Sequence, residues 1–137
     1  MNNTTPNKSQ LMVPWIIWVY FLASAAILHG VVLSGAAQPP TNSPKGDELL
    51  IPFAAVTLAL VIAALWVRSR LIKQARSQGL ASSFTLFIVG LVFCEASVVL
   101  GFVIGYFGSV ESMLNLSLPA TALLVSFCPA FVFPKPK

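Results

Sequence analysis

The sequence predicts an all-α, four-helix polytopic integral membrane protein, and three observations carry that prediction. Hydrophobic side chains make up 57% of the 137 residues and charged ones only 9%, against about a quarter charged in a soluble domain. Mean hydropathy is accordingly +0.86. Four apolar runs approach or exceed the roughly 20 residues that a helix needs to cross a hydrocarbon core about 30 Å thick. Between these runs the cations alternate in density, and seven of the eight Lys and Arg fall on one predicted side.

The first run, Pro14 to Leu33, is preceded by Lys8 and carries Trp15 and Trp18 near its start, where an indole suits the headgroup level. Ser34 and Ala36 before Ala37 supply small residues of the kind a signal peptidase accepts, but the apolar run exceeds the usual h-region of about 7 to 15 residues. It is therefore read as a retained helix. Residues 34–48 contain Gly35, Pro39, Pro40, Pro44 and Gly46, a composition that interrupts helices, and are expected to form an irregular outer loop.

The second run, Leu49 to Val67, ends on Trp66 and is followed by Arg68, Arg70, Lys73 and Arg76 in a basic loop expected over residues 68–83. Leu71, Ile72 and Ala75 recur there at helical spacing, so helix is expected to extend into part of that loop. The third run spans Phe84 to Phe107 and the fourth Met113 to Phe133, after which come Lys135 and Lys137. Positive residues are retained on the cytoplasmic side, which places both termini and the basic loop there. Lys45, Asp47, Glu48 and Glu111 fall on the other side. Pro119 and Pro129 each remove a backbone donor, so kinks are expected that leave the carbonyls of Asn115 and Val125 without helical partners.

Several function classes fall away on composition. The few cations are too scattered for a nucleic-acid surface. His29, Cys94 and Cys128 lie far apart in apolar surroundings, which gives no metal-ligand spacing and no disulfide framework. One His, no intramembrane Asp and no glycine-rich phosphate loop leave no catalytic constellation to assemble, and neither an enzyme nor a cofactor is expected. The Asn-x-Ser/Thr triplets at Asn2, Asn3 and Asn115 fall in the predicted cytoplasmic tail or at a membrane boundary and are read as chance matches. His29 is expected to reach the outer interface about one turn from the end of its span.

Glu95 is the only acid inside any predicted span, and it sits near the middle of the third. A charged carboxylate at that depth costs at least about 2.5–3.5 kcal/mol, so such residues face protein or water and often mark ion or proton paths. Leu91, Val98, Val99 and Phe102 flank it on the helix and no basic residue does. Two roles are open to it: a proton-binding group, or a neutral acid that donates a hydrogen bond across a helix interface, for example to Thr57, Ser126 or a freed carbonyl. Gly90, Cys94, Ser97, Gly101, Gly105 and Gly108 form a small-residue stripe to one side of it, a seam that lets another helix approach closely.

Residues 75–104, with Ala75-Arg76, the apolar run Phe84 to Leu91, and Glu95-Ala96 followed by Gly101-Phe102-Val103-Ile104, resemble the second half of the rotary ATP synthase c subunit. The resemblance implies a basic cytoplasmic loop followed by a helix whose mid-membrane carboxylate reversibly binds a proton or sodium ion. The second span carries Ala54, Ala55, Ala59, Ala63 and Ala64 in place of that family's alternating glycines. The expected function is thus a non-catalytic scaffold or accessory subunit of a plasma or bacterial inner membrane, packed through small-residue faces. Its partners would be the lipid bilayer and another membrane protein or a second copy; the alternative is a c-subunit-like proton-handling protein using Glu95.

Overall fold

The computed structural model describes the backbone of residues 8–36, 46–107 and 110–133. All regular structure among them is helical: α1 (Lys8–Leu33), α2 (Gly46–Gln78), α3 (Leu80–Phe107), α4 (Val110–Ser126) and a single turn, α5 (Pro129–Val132). Three of these helices are long and apolar enough to cross a membrane, over Ser9–Leu33, Leu50–Gln78 and Leu80–Phe107. The predicted outer loop lies largely outside the described residues, as do Lys45, Lys135, Lys137, Asn2, Asn3 and Gly108.

The expected basic loop over residues 68–83 is corrected by the structure. Helix α2 continues through Arg68, Arg70, Lys73 and Arg76 to Gln78, and only Gly79 separates it from α3. Arg, Leu, Lys, Gln and Ala are good helix formers, and Leu71 and Ala75 are buried in the bundle, which anchors this extension. Gly79 turns the chain at φ +83°, a backbone conformation that a side chain would strain. Beyond it, Gln74 Nε2 donates to the Ser82 carbonyl at 2.9 Å and ties the two arms of the hairpin together.

Helix α3 is the centre of the bundle and packs against α2, α4 and α1. Phe87, Leu91, Cys94 and Val98 of α3 join Ala64, Leu71 and Ala75 of α2, Ala25 of α1, and Ala120, Leu123, Leu124 and Phe127 from the fourth segment in one buried cluster. The outer faces of α1 and α2 expose Ile16, Val19, Tyr20, Ile27, Ile51, Leu58, Ile62 and Leu65. A water-soluble monomer rarely leaves so extensive an apolar surface uncovered. Where lipid is the solvent, such a bundle is held by close packing and interhelical hydrogen bonds rather than by removal of apolar surface from water.

The fourth run differs from its expectation as a single span over 113–133. Helix α4 starts at Val110 and ends at Ser126, with no interruption at Pro119. Its 17 residues cover only about 25 Å at 1.5 Å per residue. The break comes at Phe127 and Cys128, before Pro129, which takes the first position of α5, where a missing donor costs nothing. The Val125 carbonyl is not left open: the Cys128 N–H reaches it at 3.0 Å. Two other elements complete the end of α4. Trp18 Nε1 of α1 donates to the Leu124 carbonyl at 3.0 Å, and Arg68 Nε of α2 donates to the Ser126 carbonyl at 3.2 Å. A guanidinium there also opposes the negative end of the helix dipole. Trp18 therefore points inward rather than serving only as an interface anchor, whereas Trp15 and Trp66 are exposed.

Candidate functional site

Two pairs of polar side chains inside the bundle each join two helices. Glu95 lies near the middle of α3, and Ser24 of α1 donates its hydroxyl to Glu95 Oε1 at 2.5 Å. Leu91 and Val98, one turn to either side of Glu95, are fully buried, as is the adjoining Cys94 to within 1%. Glu95 Oε2 is buried and has no hydrogen-bond partner among the described residues. A carboxyl group offers at least one further donor or acceptor at that oxygen, so the group is one interaction short of satisfied. Neither Thr57 nor Ser126 supplies that contact: Thr57 Oγ1 is itself buried without a partner among the described residues, and Ser126 Oγ donates to the Leu123 carbonyl within its own helix.

The second pair lies nearer the end of α1. His29 faces α4: its Nδ1 is 2.7 Å from the Ala25 carbonyl and its Nε2 is 2.8 Å from Ser117 Oγ of α4. A carbonyl only accepts, so Nδ1 carries the hydrogen, and in the neutral ring Nε2 accepts from the Ser117 hydroxyl. Ser117 is fully buried, and glycine makes room for it. A Cβ on Gly101 would stand 2.8 Å from Ser117 Cβ, closer than real Cβ atoms come, and a tight 3.3 Å from its Cα and N.

The rest of the stripe shares that direction. A Cβ on Gly90 would collide with the Phe127 ring, and one on Gly105 would lie 2.5 Å from Met113 Cβ. Ser97 is fully buried on the same helix, with its hydroxyl turned back to the Phe93 carbonyl at 2.9 Å. The segment that approaches these glycines is thus α4 of the same chain together with Phe127 just past its end, so the seam is occupied internally. The glycines act on the site indirectly, by setting how near α4 carries Ser117 to His29.

Sequence reasoning singled out Glu95 and His29 but missed Ser24 and Ser117. A depth comparison would have found the first: Ser24 lies ten residues past Pro14 and Glu95 eleven past Phe84, in runs expected to enter from the same side. A cleft of about 400 Å³ opens between Gln10, Val13 and Pro14 of α1 and the α2–α3 turn, down to Phe84. None of Ser24, His29, Glu95 and Ser117 lines it. Among the described residues no three His, Cys, Asp or Glu side chains stand together as a metal site would require. No protein-family model, curated protein or solved structure matches the chain.

Proposed function

We propose that this chain is a multi-pass integral membrane protein that works as a non-catalytic scaffold or accessory subunit. Its four spans would place both termini and the α2–α3 turn on the cytoplasmic side of a plasma or bacterial inner membrane. The observation that carries the reading is the use made of the interior polar groups. Ser24 with Glu95, His29 with Ser117, Trp18 with Leu124 and Arg68 with Ser126 each bind two different helices together. Such pairs fasten a bundle, and the exposed faces of α1 and α2 remain free for lipid or another membrane protein. Photo-crosslinking residues at Tyr20 and Ile51, which are 72% and 78% exposed, are expected to capture a membrane-protein neighbour or a second copy in native membranes. Capture of lipid alone at both positions would count against a scaffold.

A second reading, reversible proton binding at Glu95, is favoured by the unpartnered Oε2 at mid-helix and by the c-subunit resemblance. Protons are favoured over sodium because Ala96 offers no hydroxyl beside the carboxyl and the Ser24 hydroxyl that reaches it from α1 is donated to Oε1. A carbodiimide attacks a protonated carboxyl in an apolar site, so modification at Glu95 should increase as pH falls and be absent in Glu95→Gln. Labelling that does not vary with pH would remove this second reading.

A further inference from the structure

Along the outward face of α2 the chemistry changes in a fixed order. Leu58 and Ile62 come first, then Trp66, then Arg70, Lys73 and Arg76. At ~100° per residue these positions fall on one side of the helix, opposite the buried Leu71 and Ala75. Trp66 is 58% exposed and Arg70 lies over its ring, with the guanidinium carbon 5.1 Å from the centroid. No Asp or Glu occurs between Ile51 and Cys94, so that stretch offers the three exposed cations no carboxylate. Helix α2 has 33 residues, about 50 Å at 1.5 Å per residue, which exceeds a hydrocarbon core of about 30 Å by roughly 20 Å, or somewhat under four turns.

The cationic turns are therefore the part of α2 that projects from the core. Arg70 and Lys73 lie about one and two turns beyond Trp66, at headgroup depth, and the long side chain of Arg76 can extend back toward it.

We infer that the outward face of α2 is a binding surface for an anionic phospholipid, with the acyl chain along Leu58 and Ile62, the glycerol region at Trp66, and the phosphate held by Arg70, Lys73 and Arg76. Polarity along the face follows polarity along the lipid, and the cations complement its charge. A zwitterionic lipid fits the apolar part equally well but brings its own cation to the basic part. The inference rests on the membrane reading of the chain.

The test reconstitutes the full-length protein in vesicles of phosphatidylcholine or phosphatidylglycerol with brominated acyl chains and follows tryptophan quenching. The contribution of Trp66 is the difference between the protein and Trp66→Phe. Phosphatidylglycerol is expected to bind beside Trp66 about fivefold more strongly than phosphatidylcholine, the factor that one well-placed basic side chain contributes. This preference should fall in Lys73→Gln/Arg76→Gln, which leaves the Arg70–Trp66 contact intact, and should weaken with added salt in the unaltered protein. Equal quenching by the two lipids, or a preference unchanged in both the variant and high salt, would overturn the lipid site and reassign the cations to a protein partner or to topology alone. Absence of quenching by either lipid would instead defeat the membrane reading, so the two failures are distinguishable.

Discussion

Gly101→Ala tests how closely α3 and α4 must approach. The added methyl would stand 2.8 Å from Ser117 Cβ and 3.3 Å from its Cα and N. Those atoms belong to, or are fixed directly on, the backbone of α4, so no side-chain rotation relieves the contact and the helix itself must shift. Gly30→Ala in α1 is the matched control, because a Cβ there meets nothing within 4 Å. Both substitutions carry the same gain of up to about 1 kcal/mol in helix propensity, which cancels in the comparison. What remains is the overpacking cost, about 1–3 kcal/mol. Unfolding in mixed micelles of rising dodecyl sulfate content, followed by tryptophan emission, reads the difference because Trp18 reports on the end of α4. Gly101→Ala should unfold at a distinctly lower dodecyl sulfate fraction than Gly30→Ala. Coincident transitions would refute the close approach and with it the seating of Ser117.

The same assay serves the polar pairs. Ser24→Ala should cost about 0.5–2 kcal/mol, and its cycle with Glu95→Gln should show coupling of the size found for interhelical hydrogen bonds in membranes, averaging about 0.6 kcal/mol; strict additivity would mean that the two residues do not interact. Arg68→Leu removes a charged donor from the Ser126 carbonyl and should cost about 1–2 kcal/mol, whereas Lys73→Leu, at an exposed position, should stay within about 0.5 kcal/mol; equal effects would argue that Arg68 is not a cap. His29→Ala and Ser117→Ala should each destabilise the protein but fail to add when combined, and full additivity would contradict that pair.

The helices were legible because length and apolarity alone define a segment that can span a bilayer, and runs one to three contain such segments. Charge misled at residues 68–83: the cations read as a loop, although Leu71 and Ala75 already carried the helical spacing that buries them. The fourth run was harder, since a proline means different things by position. Pro119 lies inside an uninterrupted α4, whereas Pro129 opens α5 after a break that Trp18 and Arg68 close from other helices, a long-range arrangement that no local pattern announces. At the site, Glu95 was visible by its chemistry, being an acid among apolar residues. Ser24 was not, because a single serine among alanines gives no local signal and becomes meaningful only when its depth is matched to that of Glu95. For the same reason the glycine stripe announced a close neighbour without saying that the neighbour is α4.

Proton flux into sealed vesicles tests most directly whether the interior polar groups fasten the bundle or conduct. Vesicles holding the reconstituted protein, a trapped pH dye and an imposed potassium diffusion potential should acidify at the rate of protein-free vesicles, and Glu95→Gln should leave that rate unchanged. A protein-dependent acidification that Glu95→Gln abolishes would contradict the scaffold account and establish the carboxyl of Glu95 as part of a proton path.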